Sequence, residues 1–437
     1  MLVTCYLSLD TLHLLPHPMK ITTWGINYAP EPTGIAPYNT ELCEFLKSCG
    51  HEISMVTTFS YYPAWAKLPA DRWRLYRTDT KEGVPIHRCW HYVPAKATTV
   101  RRILHELSFG LTSFLRILTL PRADVYIVVS PPLFLGVLAR MVAFLKRSRY
   151  VFHVQDLQPD AALGLGMVKS GTFMRLLHGI ERFSYHHAVA VSGISESMLA
   201  AFERKGVPVE KCWYFPNWVS SSTALMDPAV HGYKREHHSF REFHGIPPDA
   251  FLAVYAGNLG RKQGLRVLVE AGRLLKENSP GGRFSSIWIV IAGDGVMRPE
   301  LEKELAREPA PNFLLLSLLP EPAYRAMLAE ATVGIVTQAK GSGQVVFPSK
   351  LLTLLAAGLP VLAVAEADSD LARSVAKGNF GVNVSSDQPG QVAQAMNNLA
   401  RQPDELPRMA ENGRRWVQSF SAEKILGEFE GKLRSLY

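Results

Sequence analysis

At 437 residues, with 47% hydrophobic and 20% charged residues, the chain is long enough for two or three domains with well-packed cores, which excludes a disordered protein. The net charge of +8 sits mainly in residues 1–225, which hold 23 Lys and Arg against 16 Asp and Glu. No aromatic-interleaved basic motif, helix-turn-helix pattern or zinc finger accompanies it, so nucleic acid is set aside. An anionic membrane face, a phosphorylated acceptor or a merely solvated basic surface remain as readings.

Residues 1–18 contain Asp10, His13 and His17 and lack a basic n-region or cleavage site, so they read as a loose extension rather than a signal peptide. From Met19 the pattern alternates strand and helix. Strands are predicted at Ile21–Ile26, Ile53–Thr57, Val84–Cys89, Val125–Val129, Tyr150–Val154 and Ala188–Val191, with a helix at Tyr38–Cys49. Repeated strand-then-helix order implies a parallel sheet covered on both faces. Arg101–Leu120 and Val125–Leu145 are strongly apolar, but Arg116 interrupts the first and Pro131, Pro132 and Arg140 the second, so neither is a spanning helix. Each is a buried helix or, with its flanking bases at lipid headgroups, a surface one.

A composition break at 226–248 reads as a linker, after which the alternation restarts with strands at Phe251–Ala256, Ile287–Ala292, Phe313–Leu316, Val333–Thr337 and Val361–Val364. The predicted fold is therefore α/β, two tandem doubly wound Rossmann-like domains. Residues 19–225 form the first and 249–420 the second, with a helix over 421–437. Five cysteines (Cys5, Cys43, Cys49, Cys89 and Cys212) show neither C-x-x-C nor zinc-ligand spacing, and read as reduced thiols without disulfide or structural metal.

Ligands of open parallel sheets bind beyond the carboxyl ends of the strands, and four such ends carry chemistry. The loop after the first strand holds Thr33 and Gly34 ahead of a helix. The strand at Tyr150–Val154 delivers His153 and then Asp156, which are either structural or chemical. Phe251–Ala256 runs into Gly257, Asn258, Leu259, Gly260, Arg261, Lys262, Gln263 and Gly264, with apolar positions from Leu265 at helical spacing. Such a loop, opening a helix whose free amides face outward, can seat a phosphate with Arg261 and Lys262, or be an ordinary strand-to-helix turn. Ile287–Ala292 ends in Gly293, Asp294 and Gly295. A helix opening at Pro348 and Ser349 places Lys350 in its first turn, against the dipole preference, which invites an anion or else a solvated side chain. Asp368-Ser-Asp370 could hold a divalent cation, but it follows a strand as a polar loop and reads as a chance pairing.

The ordered set of the Gly34 loop, His153 and Asp156, Phe215-Pro-Asn-Trp-Val219, Gly257–Gly264, Gly293-Asp-Gly295 and Ala356-Ala-Gly-Leu-Pro-Val361 resembles retaining glycosyltransferases of the GT4 type, with the GT-B fold. Tyr28-Ala-Pro-Glu-Pro-Thr-Gly-Ile-Ala and His153-Val-Gln-Asp-Leu-Gln-Pro-Asp are most similar to bacterial exopolysaccharide glycosyltransferases of the colanic acid kind. The resemblance runs from Met19 to the chain end. It implies two domains facing a cleft and a UDP- or GDP-sugar donor, with Gly257, Asn258, Gly260, Arg261 and Lys262 at the diphosphate and Gly293, Asp294 and Gly295 at the nucleotide. Thr33 and Gly34 would approach the donor phosphate or acceptor, and His153 or Asp156 the sugar.

Many relatives carry two glutamates where this chain has Val345 and Thr353, which leaves Ser349, Lys350 or Thr353 to replace the ribose carboxylate and puts more of the donor's grip on Arg261 and Lys262. The implied activity is metal-independent transfer, without a cofactor, to a saccharide acceptor, a lipid-diphosphate-linked repeat unit, on the inner face of the plasma membrane with retention of configuration. A nucleotide-sugar 2-epimerase of the same fold and a non-catalytic binding partner in polysaccharide assembly are the alternatives.

Overall fold

The computed structural model describes residues 17–437 apart from 33, 63, 96–97, 159, 161–170, 220–238, 276–283 and 342–348. The extension up to residue 16, Cys5, Thr33, the greater part of the linker, Val345 and Pro348 lie outside the described residues.

The first half of the chain runs β1 (Lys20–Trp24), α1 (Ala36–Ser48), β2 (Glu52–Thr58), β3 (Tyr76–Lys81), β4 (Val84–Cys89), α2 (Thr99–Thr119), β5 (Val125–Ser130), α3 (Leu135–Leu145), β6 (Arg149–Val154), α4 (Thr172–His187), β7 (Ala190–Gly193), α5 (Glu196–Arg204) and β8 (Cys212–Tyr214). Its eight strands lie in the order β3-β4-β2-β1-β5-β6-β7-β8. All six residues of β5, Val-Tyr-Ile-Val-Val-Ser, are buried. A continuous apolar run of this kind is what a central parallel strand needs when helices cover both faces of its sheet.

One strand departs from the expected parallel order. β3 pairs antiparallel with β4, from Tyr76 opposite Cys89 to Lys81 opposite Val84. The two are joined by Glu82 and Gly83, both at positive φ (48° and 72°), a two-residue hairpin turn whose twist matches that of the strands. Tyr-Arg-Thr-Asp-Thr-Lys has little apolar content because this strand lies at the sheet edge.

The second half runs β9 (Phe251–Ala256), α6 (Arg266–Leu275), β10 (Ile287–Ala292), α7 (Arg298–Arg307), β11 (Phe313–Leu316), α8 (Glu321–Glu330), β12 (Val333–Thr337), α9 (Lys350–Ala356), β13 (Val361–Val364), α10 (Asp370–Gly378), β14 (Gly381–Val384), α11 (Pro389–Arg401), α12 (Glu405–Gln418) and α13 (Ala422–Arg434). Six parallel strands form the sheet β11-β10-β9-β12-β13-β14. Its core joins Phe251, Ala253 and Tyr255 of β9 to Leu268 and Val269 of α6 and Val392 and Met396 of α11. The strand order reverses direction at β9, so the loop leaving β9 stands at the switch point where open sheets leave a crevice.

The chain divides into two compact units, Met1–His153 with Phe183–Ala190, and Val154–Arg182 with Val191–Tyr437. Within the second, α13 stacks Phe429 on Phe215 with ring centroids 3.8 Å apart. Lys432 Nζ donates to the Tyr214 carbonyl at 3.2 Å, and a β-bridge joins Val219 to Ser421. Among the described residues, Cys43, Cys89 and Cys212 are free thiols. Among the described residues, no helix is long and apolar enough to cross a membrane.

Candidate functional site

The loop leaving β9 is the centre of a connected cluster in the second unit. A Cβ added to Gly293 would lie 1.9 Å from the Gly257 carbonyl oxygen, and one added to Gly295 would lie 2.6 Å from both Leu259 O and Asn258 Oδ1. Only glycine allows the turn after β10 to lie against the loop after β9, so Gly257, Asn258, Gly260, Gly293, Asp294 and Gly295 form one surface. Asp294 fixes that surface twice, its carbonyl accepting from Leu259 N at 2.8 Å and its Oδ1 from Gly295 N at 2.7 Å. Arg298 of α7 donates to the carbonyls of Gly293 (2.8 Å) and Leu316 (2.9 Å), holding the ends of β10 and β11 together.

The structure corrects one detail of the expected phosphate seat. The loop does not open directly into a helix N-terminus: Arg261–Gln263 form a separate 3₁₀ turn closed by Gly264 at φ 62°, and α6 begins only at Arg266. The amides of Gly257, Leu259, Gln263 and Gly264 are already bonded to backbone carbonyls. An anion here would be held mainly by side chains rather than by a row of free amides.

Three bases are available. Arg261 is exposed at the turn. Lys262 Nζ donates to Asp156 Oδ2 at 2.8 Å, an ion pair between two partly exposed side chains of the same unit. The other oxygen of Asp156, Oδ1, is buried without a hydrogen-bond partner among the described residues. Lys350, the first residue of α9, turns its amine inward: Nζ donates to Tyr255 Oη at 2.5 Å and stands 3.9 Å above the centroid of the same ring. Tyr255 in turn donates to the Asn258 carbonyl at 2.9 Å, so a chain of hydrogen bonds runs from Lys350 to the glycine loop.

A Cβ on Gly257 would come within 3.3 Å of the Lys350 amine. Loss of water holds that amine down to about pKa 7, and burial pushes the Tyr255 hydroxyl well up. Among the described residues, Lys350 forms no ion pair. A base kept from water and from carboxylates beside a glycine loop is suited to receive a negative group.

Ser349 caps α9 at its backbone but makes no side-chain cap bond. Thr353 stands one turn after Lys350, on the same side of the helix. Asp370, second acid of the Asp368-Ser-Asp370 triplet, accepts from Arg373 at 2.6 Å and from Ser197 Oγ at 2.9 Å, while Ser369 caps α10. Among the described residues, no cluster of three or more His, Cys, Asp or Glu is placed to hold a metal ion.

A cavity of about 500 Å³ opens nearby, lined among others by Arg261, Arg266, Glu270, Glu300 and Asp387. It shares Arg261 and Gly264 with the loop leaving β9, and its three carboxylates are ill matched to a diphosphate.

In the first unit, Gly34 has φ 71° and is exposed, and its loop is fixed from beneath by Glu31. The Glu31 carboxylate is buried and accepts from Tyr61 N (2.9 Å), Tyr62 N (3.0 Å) and Asn27 Nδ2 (2.8 Å). Desolvation raises its pKa against those three bonds. His153 is buried in β6, at 2% exposure.

Sequence reasoning missed Tyr255, Glu31, Arg298 and Gln263, whose Oε1 is buried without a partner among the described residues. Two of them had a signal in the chain. Tyr255 carries the one polar side chain of the apolar run Phe251–Ala256, and Glu31 is a lone acid in a proline-flanked turn.

Two family models match the chain, Glycosyl transferase 4-like domain over residues 33–218 and Glycosyl transferases group 1 over residues 237–416. WcaI of Escherichia coli (strain K12), described as a colanic acid biosynthesis glycosyl transferase, is 34% identical over 359 residues, which span 81% of this chain and 85% of WcaI. Among solved structures, the fold matches sucrose-phosphate synthase from Thermosynechococcus elongatus with a TM-score of 0.71 at 15% identity, over 95% of this chain and 98% of the other. It also matches Anabaena HepE in complex with UDP-glucose, with a TM-score of 0.64 at 15% identity, over 95% and 100% of the two chains.

Proposed function

Because the chain belongs to the group 1 glycosyl transferases and has their GT-B fold of two Rossmann-like halves, we propose that it moves a sugar from a UDP- or GDP-sugar to a saccharide acceptor in exopolysaccharide synthesis, with retention of configuration. The observation that carries the donor reading is the Lys350 amine, withdrawn from water between Tyr255 and Gly257 and forming no ion pair among the described residues. With Arg261 and Lys262 it supplies the positive charge that a departing nucleoside diphosphate needs.

In the transfer, a C–O bond forms between the acceptor oxygen and the anomeric carbon as the C–O bond to the diphosphate breaks. The electron pair leaves with the diphosphate, and the acceptor proton passes to a diphosphate oxygen or to solvent. Fixed cations aimed at the developing phosphate charge lower the barrier without a metal. Asp156 takes two roles in this reading. It pairs with Lys262 before the donor arrives, and its buried Oδ1 accepts a sugar hydroxyl. Gly293, Asp294 and Gly295 line the nucleotide, Ser349 and Thr353 stand where a ribose hydroxyl would be met, and Thr33, Gly34 and His153 serve the acceptor or sugar. The acceptor is a lipid-diphosphate-linked saccharide, and the enzyme works peripherally on the inner face of the plasma membrane.

The test is a thermal-shift panel of UDP- and GDP-sugars, followed by turnover with and without acceptor in the presence of EDTA. One donor class should raise Tm, since binding to the native state alone stabilises it, and transfer should survive EDTA. Loss of transfer in EDTA would overturn metal independence. A sugar altered without acceptor would identify an epimerase, and binding without turnover a non-catalytic partner.

A further inference from the structure

Helix α2 turns large apolar side chains to both of its sides. The side that packs inward carries His105, Phe109, Gly110, Thr112, Ser113 and Ile117, all buried, and three of these six are polar. Each polar one is held within the unit by a hydrogen bond: His105 Nδ1 is 2.6 Å from the Tyr92 carbonyl, Thr112 Oγ1 donates to Trp90 O at 2.6 Å, and Ser113 Oγ accepts from Trp24 Nε1 at 3.0 Å. The outward side carries Val100, Leu104, Leu107, Leu111, Leu115 and Leu118, all exposed. Their spacing of three or four residues sets them in one stripe, about 27 Å long at 1.5 Å per residue.

The neighbouring helix adds exposed apolar side chains of its own. α3 lies against α2 at Gly110, where an added Cβ would meet the Phe134 ring at 2.1 Å. The far end of α3 exposes Met141, Phe144 (71%) and Leu145. Scattered leucines on a surface are ordinary, but a stripe of six on one helix, with three more exposed apolar residues on the helix packed against it, marks an interaction surface.

Charge says what would cover it. From Thr99 to Arg149 there are eight Lys and Arg, and only Glu106 and Asp124 oppose them. Arg101, Arg122 and Arg147 are exposed at the ends of the two helices, and the Arg140 guanidinium lies 5.8 Å from the Phe144 ring centroid. An apolar stripe rimmed by bases complements a layer with anionic heads and hydrocarbon beneath. We propose that the α2–α3 face lies flat in the headgroup layer of an anionic phospholipid bilayer, with the leucine stripe and Phe144 entering the acyl boundary and the arginines meeting phosphates. This gives the peripheral location proposed above a defined surface, and it does not depend on the donor chemistry.

The experiment is co-sedimentation of the full chain with phosphatidylcholine vesicles, with and without phosphatidylglycerol. The chain should bind the phosphatidylglycerol vesicles, more weakly as salt rises, and the phosphatidylcholine vesicles poorly. Leu107→Ser with Leu111→Ser and Leu115→Ser, all surface changes, should cut binding at least about tenfold from the lost apolar area. Arg101→Glu with Arg147→Glu should abolish the preference for phosphatidylglycerol. Tm and the donor-induced thermal shift should be unchanged in both variants, which separates failure of this proposal from failure of the donor site. The proposal is overturned if the chain ignores phosphatidylglycerol vesicles, or if the serine variant binds them as well as the parent. It is also overturned if the stripe seals a second copy, seen as a concentration-dependent dimer that the serine variant loses.

Discussion

The loops that follow β1 and β9 begin from similar parts and arrive at opposite electrostatics. Each leaves the first strand of its sheet, and each uses a glycine at positive φ, Gly34 at 71° and Gly257 at 135°. The first is organised around a resident anion, the buried Glu31 carboxylate, on which Tyr61 N, Tyr62 N and Asn27 converge. The second is organised around a resident base, Lys350, whose nearest partners are a phenol and a backbone turn. One loop already holds its negative charge, and the other is built to receive one. The same topology thus serves two ends, and the difference lies in which side chain lies beneath the turn.

That contrast can be broken in several ways. The largest expected effect is on Arg261→Ala with Lys262→Ala. Two charge-assisted contacts to phosphate are each worth about tenfold or more, so donor affinity by calorimetry should fall about 100-fold or more. Unchanged affinity would remove the phosphate seat. Next is Glu31→Ala, which strips two amides of their acceptor and should cost about 1–3 kcal/mol in chemical denaturation while leaving donor affinity alone. Glu31→Gln keeps an acceptor for both amides and should be close to neutral. Because burial raises the Glu31 pKa, the folded state holds its proton longer than the unfolded chain does. Its contribution to stability is therefore lost as pH rises above the ordinary carboxylate range, and the parent should weaken relative to Glu31→Gln over that window.

Lys350→Met sharpens the other side of the comparison. It should lower donor affinity about tenfold, yet not lower stability near neutral pH, since an amine without an ion pair among the described residues is removed. With Lys350 titrating near 7 when folded and about 10.4 when unfolded, the folded state binds fewer protons between those values. Parent stability should then rise with pH across that window relative to the variant. A bound diphosphate would raise the amine's pKa, so donor binding takes up a proton and affinity should fall as pH rises above 7. Lys350→Met should flatten that slope, and a slope unchanged in the variant would sink the assignment. The smallest effect is expected for Tyr255→Phe, which breaks the hydrogen-bonded chain from Lys350 to Asn258 and should cost about 1 kcal/mol of stability.

Most of this architecture is legible along the chain, and the reasons are local. Strands such as Val333–Thr337 and Val361–Val364 are buried throughout and mostly apolar because both faces are covered, so their bounds can be read directly. β3 escaped because an edge strand needs no such run, although Glu82-Gly83 is a hairpin signal. The bases at Arg261 and Lys262 were visible from their glycine context. What no local pattern reveals is the partner of each: that Lys262 meets Asp156, 106 residues away, and that Lys350 folds onto Tyr255, 95 residues away. Those pairings arise from the order of strands within the sheets. Helix α2 lies between these cases, since its helical period is plain while which side faces water depends on Trp24, Trp90 and Tyr92 offering polar groups inward.

The interlocked glycines carry a consequence for how such enzymes can diverge. With 1.9 Å between the Gly257 carbonyl and any side chain at position 293, the turn after β10 cannot acquire a side chain unless the loop after β9 moves as well. The two segments are thus inherited as one block, although 28 residues separate them along the gene's reading frame from Leu265 to Ala292. Chimeras that exchange donor specificity between relatives should fold when residues 255–264 and 293–298 are transplanted together, and should lose stability when either is moved alone.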